Sequence, residues 1–341
     1  MASTLCAVAS GAMKLLAVCQ ADEPGGAELG LLRLLRRLSA RGWEITLTTP
    51  SGGSLSRAGF AWMPLDVGGL GAGEGARAVA SWPRTRLLGR KHDVVYLNGT
   101  VAGRLLPALR GIHTVLHVHD VVQRVPRHWH GASVVLADSQ AAADRLEGLD
   151  AKVVYCPVEL DPPDVAVPWV DGDGPVVGFV GRIEPRKGVL DLVEAAPAIR
   201  AGGARVVIVG DDPYEPDSRY LAQVRASSEV EHAGWVDDAA GLLRRLDVLV
   251  APSHQEPFGT VLAEAMAVGT PVVATRVGGL AEVVDDGVTG RLVEPGDPAA
   301  LAEAVREVLA HSSEMSVAAR AHARQFGADA YADRVEALIR P

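Results

Sequence analysis

The feature that most restricts the fold of this 341-residue chain is a regular alternation of short apolar runs with amphipathic runs. Short apolar runs bounded by turn residues are typical of buried strands, and strands separated by helices pair in parallel. The sequence therefore predicts an α/β fold with parallel sheets covered by helices. The predicted strands are Lys14–Cys19, Trp43–Thr48, Val94–Leu97, Thr114–Val118, Val134–Ala137, Lys152–Tyr155, Val176–Val180, Val206–Val209, Val248–Ala251, Val272–Ala274 and Gly290–Val293.

The clearest amphipathic run is Ala27–Arg41, where leucines recur at helical spacing and Arg33, Arg36 and Arg37 lie on the opposite side. Further amphipathic runs between several of the strands predict helices, and this alternation implies a parallel, doubly wound sheet. These helices are Val189–Arg200, Tyr220–Arg225, Ala239–Arg245, Thr260–Ala267, Leu280–Val284, Ala299–His311 and Ala328–Ile339.

A segment rich in Pro, Gly and Asp, residues 161–175, interrupts the alternation. This composition is typical of a linker between domains, and the alternation restarts directly after it. The sequence therefore predicts two successive α/β domains. Because open parallel sheets bind ligands at the carboxyl ends of their strands, two such domains facing each other would share one cleft.

Composition excludes several classes of protein. Hydrophobic residues make up 48% and charged residues 22% of the chain, so it is not expected to be disordered. The pI of about 5.6 argues against a nucleic-acid partner, and no apolar run has the length of a transmembrane helix. The isolated cysteines Cys6, Cys19 and Cys156 are expected to be buried thiols of a cytoplasmic protein. Residues 1–12 lack the basic region of a signal peptide and are expected to be an extension before Met13.

Charge is unevenly divided along the chain. Residues 1–160 contain 17 basic and 13 acidic residues, whereas residues 161–341 contain 16 and 29. The segment Ser81–Lys91 carries Arg84, Arg86 and Arg90, and with the arginines of Ala27–Arg41 it predicts a basic surface. Two interpretations remain open: a surface that contacts anionic lipid or an anionic acceptor, and an ordinary solvated helix face.

The first candidate site is a strand followed by two cations. The strand Val176–Val180 runs into Gly181, and Arg182 and Lys187 follow five residues apart before the next helix. Fixed cations at the carboxyl end of a strand can bind a diphosphate and stabilise the charge that develops on its oxygen as a sugar–phosphate bond breaks. A solvated basic loop is the alternative interpretation.

The second candidate site surrounds the start of the helix Thr260–Ala267. Pro257 and Gly259 break the chain after a strand, and free N–H groups at a helix start favour phosphate. Glu256 and Glu264 would be about 12 Å apart along the axis if the whole stretch were helical. That separation argues against two carboxylates acting on one bond, but it suits an elongated ligand with hydroxyl groups at two places, such as a hexose and a ribose. Two surface carboxylates are the alternative.

Together these segments resemble glycosyltransferase family 4, a large group of retaining enzymes with the GT-B fold. The matching segments are GRIEPRKG at residues 181–188 and EPFGTVLAE at residues 256–264, whose glutamates fit the family's E-x7-E motif. The similarity continues through residues 269–297, and Pro24–Glu28 matches the glycine-rich turn after the first strand. The resemblance implies two facing Rossmann-like domains: an N-terminal acceptor-binding domain at residues 1–162 and a C-terminal donor-binding domain at residues 174–325. A C-terminal helix at residues 326–341 is implied to cross back to the first domain.

The resemblance also implies a nucleoside diphosphate sugar as the donor substrate, with no cofactor required. Arg182 and Lys187 would hold its diphosphate, and Glu256 would hydrogen-bond the transferred sugar. Glu264 would hold the ribose hydroxyls. The other implied contacts are made largely by backbone groups: Gly25 and Gly26 at the diphosphate, Phe258, Gly259, Thr260 and Val261 at the sugar and phosphate, and Val236 near the base.

Histidines are concentrated near the end of the strand Thr114–Val118. His117 and His119 share one face because side chains alternate along a strand. The resemblance implies that His119 faces the transferred sugar; packing or capping of the strand end is the alternative. No metal ligand is predicted, since zinc needs three or four converging ligands and the family needs no metal for its chemistry. The other histidines considered as ligands are His113, His128 and His130.

The resemblance therefore implies a retaining glycosyltransferase, which we expect to be cytoplasmic or peripheral at the inner membrane face. It is expected to move a hexosyl group from a UDP- or GDP-sugar to a hydroxyl of a small-molecule or lipid-linked acceptor. Two other classes remain open, and the sequence indicates no oligomeric state. One is a GT-B-like non-transferase, such as a sugar-nucleotide epimerase or a phosphorylase. The other is a silent module that only binds nucleotide sugars.

Overall fold

The computed structural model describes residues 12–69, 71, 73–169, 172–213, 215–237 and 239–341. The predicted extension, residues 1–12, lies outside these residues except for Ala12, so Cys6 is not described. Asp171 of the predicted linker also lies outside the described residues. Cys19 and Cys156 are buried and form no disulfide. Burial raises the pKa of both thiols, which keeps them protonated.

Seven parallel strands form the sheet of the first domain. Six of them confirm predicted strands to within two residues, and the seventh, Ala61–Pro64, was not predicted. This strand is short and ends in a proline, which argues against a strand except at a sheet edge, where this one lies. The strands are β1 Lys14–Val18, β2 Glu44–Thr49, β3 Ala61–Pro64, β4 Val94–Asn98, β5 Thr114–Val118, β6 Val134–Ala137 and β7 Ala151–Val153. Their order across the sheet is β3-β2-β1-β4-β5-β6-β7.

Six parallel strands form the sheet of the second domain, and five of them were predicted. The missed strand is again at an edge, where the sequence Glu-His-Ala-Gly is only half-buried. The strands are β8 Val176–Val180, β9 Arg205–Val209, β10 Glu231–Gly234, β11 Val248–Ala251, β12 Val272–Thr275 and β13 Gly290–Val293. They are arranged in the order β10-β9-β8-β11-β12-β13. Both sheets thus have the doubly wound arrangement, with a switch of winding direction beside β1 and beside β8.

Helices cover both sheets, mostly where amphipathic runs predict them. The predicted helix Ala239–Arg245 is wrong in type, because this segment forms a 3-10 helix. None of the helices in the described ranges is long and apolar enough to cross a bilayer. The helices are α1 Gly26–Ala40, α2 Gly75–Gly89, α3 Gln140–Ala143, α4 Val189–Ala201, α5 Arg219–Arg225, α6 Thr260–Ala267, α7 Leu280–Val283, α8 Pro298–Ala310, α9 Ser312–Ala323 and α10 Ala328–Ile339.

The last helix, α10, packs against the first domain. Gly327 bridges to Val158, and the side chains of Tyr331, Val335 and Ile339 are fully buried in one core with the leucines of α1. Glu336 accepts a hydrogen bond from the Trp43 indole N–H at 3.0 Å. Each buried apolar side chain of this size contributes about 1.5–3 kcal/mol, so the contact is a substantial part of the first domain's core.

Helix α1 is buried on more sides than its leucine spacing predicts. It lies between its own sheet and α10, and it also contacts the second domain. Arg33, which the sequence places in the basic surface, is only 5% exposed. For Arg33 the prediction is wrong, because this side of α1 is enclosed between the two domains, whereas Arg36 on the same helix is exposed.

Candidate active site

The carboxyl ends of the two sheets face each other, and short contacts join them. The segment after β6 reaches the second domain, where the Ser139 hydroxyl donates to Pro257 O at 2.6 Å. The backbone N–H groups of Gln140 and Ala141 both donate to the Glu282 carboxylate at 2.8 Å. A carboxylate at a helix start is stabilised by these N–H groups, so α3 and α7 are tied together across the cleft.

The cations predicted after β8 lie at the carboxyl end of this strand. Lys187 forms an ion pair with Glu256, which is 69 positions away in sequence. Both side chains are mostly buried, at 17% and 12% exposed. Arg182 lies 3.3 Å from Glu184, whose carboxylate also contacts Arg186 at 2.7 Å. The structure therefore brings three of the predicted residues, Arg182, Lys187 and Glu256, to one region of the second domain.

Two glycines give the surrounding loops their shape. Gly188 has φ +64°, and a Cβ on it would lie 1.9 Å from Pro252 O. Gly259 has φ +97° immediately before α6, where a Cβ would lie 2.3 Å from a Leu280 methyl carbon. Other residues rarely adopt this left-handed conformation, so glycine is required in both loops.

At the start of α6, backbone groups rather than side chains are available to a ligand. Phe258 is 2% exposed and packs against Tyr155 and Phe326 at ring distances of 5.7 and 5.6 Å. Its side chain therefore belongs to the core, and only its backbone is available to a ligand. The first N–H groups of a helix have no acceptor within the helix, so Thr260 and Val261 offer donors here.

Glu264, in the second turn of α6, forms an ion pair with the first domain. Its Oε1 accepts a hydrogen bond from Arg33 Nη2 at 2.8 Å, and the two side chains are only 14% and 6% exposed. Arg33 Nη1 also donates to Pro157 O at 2.7 Å. The sequence singled out Glu264 but gave Arg33 no role at this site.

The remaining predicted contact residues are exposed or half-buried. Gly25 caps α1, and its N–H donates to Glu28 at 3.1 Å. A Cβ on Gly26 would meet no protein atom within 4 Å, so there is open space beside the start of α1. Val236 is half-buried directly after β10, beside Trp235, which is 47% exposed.

A buried carboxylate, which the sequence did not single out, joins the two strand-end histidines. Asp138 Oδ1 lies 2.8 Å from His117 Nε2, and Oδ2 lies 2.8 Å from His119 Nδ1. His119 Nε2 also contacts Asn98 Oδ1 at 2.9 Å, and the Tyr96 hydroxyl contacts His117 Nδ1 at 2.6 Å. The sharing of one face by the two histidines is thus confirmed. Asp138 directly follows the predicted strand Val134–Ala137. This position at a strand end is the one sequence feature that indicates a site residue there.

Burial and neighbouring charges shift the pKa values of the three groups in this cluster in different directions. Burial, together with the nearby His119 charge, lowers the pKa of His117 to about 4. Burial acts in the same direction on His119, but the Asp138 carboxylate outweighs it and raises the His119 pKa. The two imidazoles hold the pKa of Asp138 well below its usual range despite burial. At neutral pH the cluster therefore contains an Asp138 carboxylate, a neutral His117 and a His119 whose protonation is favoured.

The same cluster is the one group in the described residues whose atoms converge as metal ligands would, with all ligand atoms within 4.8 Å of one another. Asp138 Oδ2 forms a hydrogen bond with His119 Nδ1, whereas Asp138 Oδ1 and His117 Nε2 lie 2.8 Å apart without hydrogen-bond geometry. The prediction that no metal ligand is needed at this cluster stays a prediction.

We expect the stabilising contribution of His117 to fall as the pH is lowered from 7 to 5. Its pKa is about 4 in the folded chain and about 6.5 in the unfolded chain, so protons bind preferentially to the unfolded chain in this window. Wild type and His117→Asn should differ in their free energy of unfolding by about 2 kcal/mol less at pH 5 than at pH 7. Urea unfolding of both proteins measures it; a gap that stays constant or widens contradicts this protonation state.

Comparison with known proteins identifies the class to which this fold and site belong. The family described as Glycosyltransferase Family 4 matches residues 24–162, and the family described as Glycosyl transferases group 1 matches residues 174–311. The chain is 33% identical to the phosphatidyl-myo-inositol mannosyltransferase of Mycobacterium leprae, with 89% of each chain covered. It is 29% identical to the lipopolysaccharide core biosynthesis glycosyltransferase LpsE of Rhizobium meliloti, covering 92% of this chain and 96% of LpsE.

A solved structure supports the same fold. HepE of Anabaena, in complex with UDP-glucose, superimposes with a TM-score of 0.78 at 23% identity, covering 95% of this chain and 98% of HepE. Two parallel-sheet domains facing across a cleft define a GT-B glycosyltransferase. The chain belongs to glycosyltransferase family 4. The predicted fold class and enzyme class are thus confirmed.

Proposed function

We propose that this glycosyltransferase moves a hexosyl group from a nucleoside diphosphate sugar to an acceptor hydroxyl, with retention of anomeric configuration. One observation carries the proposal: two buried ion pairs, Lys187 with Glu256 and Arg33 with Glu264, lie before and along α6. They provide separate groups for the sugar–diphosphate and the ribose of one elongated donor. The first domain then binds the acceptor, and the second binds the donor.

Each group has a task in this reaction. Arg182 and Lys187 bind the diphosphate, the backbone of Phe258–Val261 contacts sugar and phosphate, and Glu256 accepts hydrogen bonds from the sugar hydroxyls. Glu264 binds the ribose hydroxyls. The base lies near Val236, and the diphosphate approaches Gly25 and Gly26 through the open space at the start of α1.

The proposed chemistry is attack from the face that the leaving group occupies. The bond between the anomeric carbon and the phosphate oxygen breaks, and its electron pair stays on the phosphate. The acceptor oxygen bonds to the same face of the sugar, and its proton passes to the leaving phosphate oxygen. Lys187 and Arg182 stabilise the charge that develops there. His119, held by Asp138 and Asn98, faces the transferred sugar, and contact between the domains excludes water.

The known relatives support the substrate classes. HepE was crystallised with UDP-glucose, which favours a UDP-sugar, while a GDP-sugar remains compatible with a base read by backbone groups. The mannosyltransferase of Mycobacterium leprae acts on phosphatidyl-myo-inositol, which supports a lipid-linked acceptor. The relatives reported above give no support to an epimerase, a phosphorylase or a silent binding module.

The test is a transfer assay with purified protein, UDP- and GDP-hexoses, and a panel of polyol, glycan and lipid-linked acceptors. Mass spectrometry should show an acceptor that gains one hexosyl residue, and NMR of the product should show the anomeric configuration of the donor. An inverted product contradicts the mechanism. A converted sugar nucleotide without any transfer would instead favour an epimerase.

Peripheral contact with an anionic lipid surface is a separate part of the proposal. The outer side of α2 exposes Val79 and Leu87, at 52% and 58%, two turns apart on the same side of the helix. Arg84 and Arg90 are exposed near them. Apolar side chains flanked by arginines match the interface of an anionic membrane, where each basic residue contributes about 1 kcal/mol.

Replacement of Leu87 by Glu should reduce sedimentation of the protein with vesicles containing phosphatidylglycerol by about 10-fold or more. The change removes one buried apolar side chain and adds repulsion from the lipid charge. Val317→Glu is the matched control, since Val317 is 72% exposed on α9 in the second domain. Equal binding of all three proteins, or equal binding to neutral vesicles, would rule out this surface.

A further inference from the structure

Arg33 is a buried cation to which the reaction described above assigns no task. It lies on α1 of the first domain and is 5% exposed. Burial of a guanidinium is costly unless its N–H groups find acceptors. Arg33 has two: Glu264 Oε1 at 2.8 Å in the second domain, and Pro157 O at 2.7 Å in the segment that leaves the first sheet.

The position of Arg33 on α1 relates it to the donor. It lies seven residues after Gly26, so the two positions share one side of the helix, about 10 Å apart along the axis. That side faces the second domain, because Arg33 reaches α6 from it. Helix α1 therefore presents its open N-terminal end and Arg33 to the cleft along the direction that an elongated nucleotide sugar would follow.

We propose that Arg33 is a positioning residue that holds the Glu264 carboxylate, across the domain interface, in the orientation that binds the ribose hydroxyls. This inference rests on the proposed function, in which Glu264 is the ribose ligand. The planar guanidinium forms directional hydrogen bonds, so a second bond to Pro157 O fixes its own orientation.

The positioning role of Arg33 makes the affinity for the donor depend on the relative position of the two domains. Glu264 belongs to the second domain, whereas both Arg33 and Pro157 belong to the first. The ribose site is correctly oriented only when the two domains touch. The donor therefore binds best in the arrangement that also brings the first domain to the sugar. Binding and domain contact are then coupled by one ion pair.

The test compares the ribose preference of the variants. Calorimetric titrations with UDP and 2′-deoxy-UDP are made on wild type, Arg33→Gln, Arg33→Lys and Glu264→Gln, with GDP and 2′-deoxy-GDP if wild type binds GDP instead. Wild type should prefer the ribonucleotide by about 10-fold to 100-fold, as expected for a hydrogen bond to a charged group. Glu264→Gln and Arg33→Gln should both lose most of this preference, and Arg33→Lys should keep part of it.

Two controls separate positioning from general stability. Arg37→Gln removes a neighbouring arginine of α1 that pairs with Glu159 and Asp329, and it should leave the ribose preference unchanged. The double variant Arg33→Gln/Glu264→Gln should show no less preference than Glu264→Gln alone, since one residue acts through the other. If Arg33→Gln does not fold, Arg33→Lys carries the comparison.

The possible outcomes distinguish this inference from the proposed function. A wild-type preference retained in Arg33→Gln overturns the positioning role, and so does an equal loss of affinity for both nucleotides, which indicates a structural role only. Tighter binding of UDP by Arg33→Gln would mean that the ion pair obstructs the ribose, the opposite of our proposal. A folded wild type that binds no nucleoside diphosphate contradicts the proposed function itself.

Discussion

Replacement of Lys187 by Ala is expected to lower the turnover number by on the order of 100-fold or more. The lysine ammonium is mostly buried and is paired with Glu256, so it acts at a fixed place with little screening by water. In the proposed reaction it stabilises negative charge on the leaving phosphate. Without it, Glu256 remains in the site as an unpaired carboxylate that repels the same charge.

Steady-state kinetics at saturating donor measure this effect. Lys187→Met is the companion variant, because it keeps most of the side-chain volume and removes only the charge. Lys152→Ala is the matched control: this lysine is 48% exposed beside Asp150 and should retain nearly full turnover. Near-normal turnover in a folded Lys187→Met protein would remove Lys187 from the catalytic groups.

Replacement of Asp138 by Ala is expected to lower the free energy of unfolding by about 3–5 kcal/mol, the usual cost of removing one partner of a buried ion pair. Asp138 is 3% exposed, and each of its oxygens lies 2.8 Å from an imidazole nitrogen. Its loss leaves His119 without the carboxylate that raises its pKa, inside a site that disfavours charge.

The same substitution should reduce turnover, because His119 loses the partner that orients its ring. Urea unfolding at pH 7 gives the stability change, and steady-state kinetics give the change in turnover. Asp150→Ala is the control, since this carboxylate is 85% exposed and its surface pair with Lys152 contributes at most about 1 kcal/mol. A loss below about 1 kcal/mol for Asp138→Ala would show that the two imidazoles do not need the carboxylate.

The sequence predicts the elements that have a continuous apolar signal. Most of the eleven predicted strands have side chains buried on both faces of a covered sheet, and the edge strands Ala151–Val153 and Gly290–Val293 are the exceptions. The edge strand Ala61–Pro64 was missed because it is short and ends in a proline, and the edge strand Glu231–Gly234 because it is only half-buried and begins with polar residues. Local pattern therefore determines how well an element can be predicted.

The residues of the candidate site also differ in how well the sequence predicts them. Arg182, Lys187, Glu256 and Glu264 lie in contiguous motifs, so the sequence alone draws attention to them. Arg33 and Asp138 act through partners that are 231 and 19 positions away. The first contact exists only once the two domains have packed, and the second only once β5 and β6 have paired. No local pattern indicates that an arginine on a leucine-rich helix faces another domain.

The most direct test of the central claim is thermal unfolding of the purified protein with UDP, GDP, ADP, TDP and their common sugar conjugates, without added metal. A ligand that binds only the folded chain stabilises it by about 2.7 kcal/mol at 100 times its dissociation constant. The account predicts a clear rise in Tm with one nucleoside diphosphate and its sugar conjugate, and a smaller rise in Glu264→Gln. An unchanged Tm with every one of these ligands, in a folded sample, would contradict a nucleotide-sugar site in this cleft.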